Sequence, residues 1–288
     1  MSISVLVGLT FALATALASI VGFLYKQRGA MAAPPVTWRH PLSSTASLFS
    51  NRWWILGLIV ATGAWGLHVT ALTLAPISLV QSIIAGGLVA LTLIADRLFG
   101  LPVTAREWWG VGVTAAGLAF LAATLGSTAD SAHNHYATST LAVYVAALTA
   151  VSALLCLSVA RPGSGRSGLV LATAAGLQWG ASDVTIKALS GHLGRDGVGV
   201  LLSPLALVIL ALSVIGLVVS ARSLQIGQAV AVIAVTSAAA NLVTIASGLL
   251  VFGEPLPSGA GAATLRLLAF GLVIGAAALT PTPAPRAP

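Results

Sequence analysis

Apolar residues run along the chain in blocks of about 20, broken by short segments that carry the Pro, Arg and Asp residues. A helix rises 1.5 Å per residue, so such blocks match a hydrocarbon core about 30 Å thick. They place spans at about 3–24, 53–73, 77–96, 107–125, 139–160, 168–190, 199–220, 228–252 and 263–280. Helix is the structure expected, because an isolated span in lipid must satisfy its own backbone hydrogen bonds. The stretch from Tyr25 to Asn51 is longer and mixed (Pro34, Pro35, Arg39, His40, Pro41), which leaves room for a short re-entrant or interfacial piece. Residues 1–24 lack a basic start and a clear cleavage site, so they read as a retained first helix rather than a signal peptide. At the other end, 281–288 alternates proline with small residues and reads as a disordered, extended tail.

Composition strengthens this picture. The 288 residues are 58% hydrophobic and only 7% charged, against about 25% charged in a soluble domain. The single Cys156 permits no internal disulfide and no cysteine cluster, and no cofactor is expected. The net charge of +7 is spread over short loops without forming a run. Nucleic acid is therefore not an expected partner, and the charge reads as an orientation signal. With nine alternating spans, ten of the 13 Lys and Arg residues fall on one side and Lys187, Arg195 and Arg266 on the other. The positive-inside rule then puts the N-terminus outside and the C-terminus in the cytoplasm. Arginine outnumbers lysine and alanine abounds, a pattern of high-GC bacteria, so a multi-pass protein of the plasma (inner) membrane is expected.

Two regions look alike. Gly8-Leu9 opens an Ala-rich run ending in Gly22-Phe23-Leu24-Tyr25-Lys26, and Gly168-Leu169 opens one ending in Asp183-Val184-Thr185-Ile186-Lys187. Leu74-Ala75-Pro76-Ile77-Ser78-Leu79-Val80-Gln81 corresponds to Leu224-Gln225-Ile226-Gly227-Gln228-Ala229-Val230, and Phe99-Gly100-Leu101-Pro102 to Phe252-Gly253-Glu254-Pro255. The chain thus divides into a first four-helix repeat (1–125), a connecting outer loop and central helix (126–167), a second four-helix repeat (168–280) and the tail (281–288). Equivalent spans lie five apart, an odd number, so the second copy crosses the membrane in the opposite sense. Inverted repeats let one central site face either side as the halves exchange conformations.

Trp179-Gly180-Ala181-Ser182-Asp183-Val184-Thr185-Ile186-Lys187-Ala188-Leu189 resembles the opening helix of an EamA-type domain. Phe252-Gly253-Glu254-Pro255-Leu256, followed by a Gly-rich span, resembles the Gly-Glu pattern that closes such a domain, and Ala95-Asp96-Arg97-Leu98 is its counterpart with Asp for Glu. Over roughly residues 3–280 the chain resembles the drug/metabolite transporter superfamily. Lys26-Gln27-Arg28-Gly29 followed by Trp53-Trp54 is also similar to the layout of NIPA-type magnesium transporters. The resemblance implies an all-α polytopic carrier rather than an enzyme.

Ionisable groups inside spans are costly and mark candidate chemistry. Asp183 and Lys187 are spaced i, i+4 on span 6, which allows an intrahelical ion pair. Three readings stand side by side: Asp183 binds a cationic group or coupling proton, the neutralised pair docks the helix, or Lys187 snorkels to the outer surface. Gln178, Ser182 and Thr185 cluster on another face of the same helix, with Trp179 between the faces as a stacking or packing residue. His68 on span 2 titrates near neutral pH if accessible, or serves as a hydrogen-bonded structural residue. Gln81 and Asn241, on counterpart helices, either face the pathway or bond between helices. Glu254 and Asp96 read as turn anchors or helix caps, and Asp130, His133 and His135 as a solvated loop, so no metal site is expected. Gly271 and Gly275, with Gly110 and Gly117, form small-residue faces suited to packing between spans 4 and 9 or to a homodimer. The expected function is secondary transport of a small metabolite or drug-like solute through the lipid bilayer, with a Mg²⁺ route or a membrane scaffold as alternatives.

Overall fold

A computed structural model describes residues 2–36, 46–86, 133–159, 167–192, 197–227, 229–257 and 259–275, with a few positions between 105 and 117. Most of the expected span 107–125, the second half of 77–96, Asp96, Gly110, Asp130 and the tail lie outside the described residues. Within them the structure is all-helical, without strands. In chain order the helices are α1 (Ile3–Met31), α2 (Arg52–Leu74), α3 (Ile77–Ala85), α4 (Thr138–Val159), α5 (Ser167–Ser190), α6 (Pro204–Ile226), α7 (Ala229–Leu250) and α8 (Ala260–Gly275). Five of them are long and apolar enough to cross a membrane: α1, α2, α4, α6 and α7. The protein is accordingly membrane-embedded.

Local sequence explains the boundaries. Ser2, Asn51 and Ser203 accept hydrogen bonds from Val5 N (3.3 Å), Trp53 N (2.9 Å) and Ala206 N (3.4 Å), capping α1, α2 and α6. Pro204 follows its cap at a position where no donor is lost. Pro76, which cannot donate to the preceding turn, separates α2 from α3. Helix α1 runs seven residues past its expected end at 24. There the stem of Lys26 packs on Gly57, where an added Cβ would lie 2.8 Å from Lys26 Cγ. The interval after α1 contains a 3-10 turn at Ser47–Ser50.

Packing centres on α5. It is the least apolar of the long helices and the most enclosed, with Gly168, Gly176 and Gly180 set against neighbouring helices. α5 lies along α6 and α7, and α4 lies along α5. α4 buries only Leu141 and Ser152, the latter donating to Ala174 O (2.9 Å), while Val143, Leu154 and Leu157 face outward. In the first half, α1 lies along α2 and also touches α3. The halves meet where α3 packs on α7, α1 on α6 and α2 on α5.

Candidate functional site

Gly176, Gly180, Asp183 and Lys187 fall on one stripe of α5, about one residue per turn. The glycines let α7 approach: a Cβ at Gly176 would lie 2.5 Å from Thr236 O, and one at Gly180 would meet the Val243 side chain. Past the glycines, Asp183 meets the other half. Its Oδ2 accepts from Gln81 Nε2 of α3 (3.2 Å), and its Oδ1 lies 3.2 Å from His68 Nε2 of α2. The His68 contact lacks hydrogen-bond alignment, and neither ring nitrogen has a hydrogen-bond partner among the described residues. It is therefore an electrostatic contact, attractive when the imidazole is protonated. Of the pair, His68 is enclosed at 7% side-chain exposure and Asp183 is the reachable group at 21%.

One turn further, Lys187 crosses to the break between α2 and α3. Its Nζ donates to Leu72 O (2.7 Å) and Ala75 O (3.0 Å), carbonyls at the C-terminal end of α2. Glu254, from the loop after α7, accepts from Ser78 N (3.3 Å) in the first turn of α3. A cation thus sits at a helix C-terminus and an anion at a helix N-terminus, each matching the local backbone dipole. Gly248 makes room for this cap, since a Cβ there would lie 2.5 Å from Glu254 Oε2. Burial pushes the Glu254 carboxyl above its usual range, opposed by the Ser78 hydrogen bond and the charge of Lys187. Arg266 of α8 is also buried and interacts electrostatically with Glu254.

No family model, curated protein or solved structure matches the chain.

The site geometry brings Asp183, His68 and Gln81 together, with Lys187 one turn away. The intrahelical pair that the i, i+4 spacing allowed does not form: Asp183 turns to α2 and α3, and Lys187 to the α2 terminus. The stripe faces another half of the bundle, where better partners stand. Gln178, Ser182 and Thr185 lie elsewhere. Ser182 Oγ is 3.4 Å from Ser213 Oγ of α6, and Thr185 donates back to Ala181 O (2.8 Å). Gln178 Cβ and the Trp179 ring pack where Gly216 of α6 leaves space, at 3.5 Å and 3.3 Å from an added Cβ. Gln178, Trp179 and Ser182 thus join α5 to α6. Asn241 is buried on α7, and its side chain makes no hydrogen bond among the described residues. Glu254 was expected to anchor a turn or cap the helix that follows it; it caps α3, far back in sequence, which no local signal could indicate. His133 and His135 belong to no group of three or more metal-ligating side chains among the described residues. Instead Tyr136 Oη meets His192 Nε2 at 3.1 Å and packs edge-on against Phe252.

Proposed function

We propose that the chain is a secondary transporter of a small metabolite or drug-like solute, working by alternating access between two inverted four-helix repeats. The observation that carries this reading is the origin of Asp183's partners. A reachable acid on the second half takes both His68 and Gln81 from the first. Anything that changes the charge on Asp183 changes the bond between the halves. A proton or a cationic group arriving there replaces the attraction of His68 and the hydrogen bond of Gln81, so filling the site loosens one side of the bundle.

The packing supports the repeat. α1 lies along α2 as α5 lies along α6, and the cross-contacts α1 to α6 and α2 to α5 exchange under a two-fold relation that leaves α3 on α7. Gly8 approaches the end of α2, with an added Cβ 2.9 Å from Ala75 Cβ. Gly168 approaches the end of α6 in the same way, 2.9 Å from Gly227 Cα. In this reading the chain is a multi-pass protein of the plasma membrane related to EamA-type carriers, with nine spans, the N-terminus outside and the C-terminus cytoplasmic. No observation favours the Mg²⁺ route or the scaffold.

The test is solute uptake into proteoliposomes at several pH values, using organic cations, amino acids and Mg²⁺ as candidate solutes. The wild type is expected to show pH-dependent uptake of an organic solute. Asp183→Asn removes most of it, and Asp183→Asn with His68→Gln abolishes the pH dependence of what remains. Uptake by the double variant equal to the wild type at every pH would remove both groups from the mechanism.

A further inference from the structure

At the far end of α1 from its Ser2 cap, two arginines converge on one indole. The Arg28 guanidinium carbon lies 4.1 Å from the Trp53 ring centroid and that of Arg52 lies 5.5 Å from it. Tyr25 stacks on the same ring, with centroids 5.7 Å apart. Both arginines are exposed. Stacking a guanidinium on an aromatic face leaves its N–H edge free to make planar, paired hydrogen bonds. Two such edges therefore stand within about 10 Å of each other, the most the two distances allow.

Among the described residues no acid stands beside this positive charge. No Asp or Glu occurs in the chain before Asp96. Among the described residues neither Arg28 nor Arg52 has an ion-pair partner. Arg28 in the last turn of α1 suits the negative end of that helix, but Arg52 opens α2, where the backbone is already positive and the first turn carries no acid. Two exposed guanidiniums beside the positive end of α2, with no acid next to them among the described residues, form a surface that an anion complements. The flanking aromatics and the ends of two membrane-length helices place it at the height where lipid headgroups lie.

We infer that Arg28, Arg52 and Trp53 form a binding site for the phosphate of an anionic phospholipid. The guanidinium edges hold the phosphate oxygens, Trp53 fixes both arginines, and the acyl chains lie along the outward face of α2 at Ile55, Leu56 and Ile59. This rests on the membrane embedding alone and stands or falls separately from the transport reading.

The test is native mass spectrometry of the purified full-length protein titrated with phosphatidylglycerol, phosphatidylcholine or inorganic phosphate. A cation at a membrane surface contributes about a fivefold preference for anionic lipid, so the two arginines predict roughly 25-fold tighter binding of phosphatidylglycerol than of phosphatidylcholine. Arg28→Gln with Arg52→Gln should reduce that ratio to near one, while inorganic phosphate neither binds appreciably nor competes. Equal binding of the two lipids by the wild type would overturn the proposal without recourse to any variant. A folded double variant that keeps the wild-type ratio would overturn it as well, and effective competition by inorganic phosphate would replace the lipid with a soluble anion.

Discussion

Replacing Glu254 separates two roles that its carboxylate combines: accepting a hydrogen bond from Ser78 N and bringing negative charge to a buried place. Glu254→Ala removes both and leaves the Ser78 amide, 1% exposed as a residue, without an acceptor. An orphaned buried donor costs about 1–3 kcal/mol, and losing an anion at a helix N-terminus adds about 0.3–1 kcal/mol. A destabilisation of about 1–4 kcal/mol is expected. Glu254→Gln keeps an acceptor of the same reach and shape. It loses attraction to Lys187 and Arg266, but Lys187 retains the Leu72 and Ala75 carbonyls, and the charged group that burial opposes is gone. Its expected cost is under about 1 kcal/mol, well below the ~3–5 kcal/mol of breaking a buried pair that has no other partners. The pH dependence follows from the same balance. Because the folded-state pKa of Glu254 is raised above its ordinary value of 4.5, the folded protein holds this proton more tightly than the unfolded chain. Wild-type stability therefore falls as pH rises through the interval between 4.5 and that raised value, and the Gln variant loses this component. The assay is SDS-driven unfolding in mixed micelles, followed by circular dichroism across pH. A Gln variant as unstable as the Ala variant, or a wild type that gains stability across that interval relative to Gln, would refute the reasoning.

Other positions give sharp outcomes. Gly248→Ala puts a Cβ 2.5 Å from Glu254 Oε2 and 2.8 Å from its Cδ, so it should displace the cap and cost about 1–3 kcal/mol in the same unfolding assay. Gly57→Leu drives a side chain into the α1 backbone, where even a Cβ lies 2.6 Å from Lys26 N and 2.8 Å from Gly22 O. That variant should melt well below the wild type by fluorescence-detected size exclusion, and an unchanged melting temperature would contradict the α1–α2 packing. Gln178→Ala and Ser182→Ala face α6 within their own half, so solute uptake should stay within about twofold of wild type at all pH values. Loss of uptake without loss of folded protein would move the pathway to that face.

Much of the helical layout was legible because the apolar blocks are long and the punctuation clear. Span 168–190 became Ser167–Ser190 and span 228–252 became Ala229–Leu250. The end of α1 was not, because Tyr25-Lys26-Gln27-Arg28 looks like an exit into water when only polarity is read. A Lys26 stem that packs on a glycine of the next helix is a tertiary fact. For the site, the residue types that membranes tolerate poorly pointed to His68, Gln81, Asp183 and Lys187. A helical wheel shows which residues share a stripe but not which neighbour the stripe faces. That is why Asp183 and Lys187 could be read as partners, although each spends its charge on the opposite half. The same limit applies to Gln178 and Ser182, which turned out to pack α5 on α6, to Thr185, which bonds back within α5, and to Glu254, whose partner Ser78 is remote in sequence.

The central claim is that the bundle moves a solute and that Asp183 couples the movement to charge. Supported-membrane recording of charge displacement in proteoliposomes tests it most directly, with pulses of organic cations, amino acids and Mg²⁺ applied with and without a pH step. A transient current for one organic solute is expected, growing with the proton gradient and lost in Asp183→Asn. An organic-solute current that persists unchanged in Asp183→Asn, or a current evoked by Mg²⁺ alone, would contradict the account.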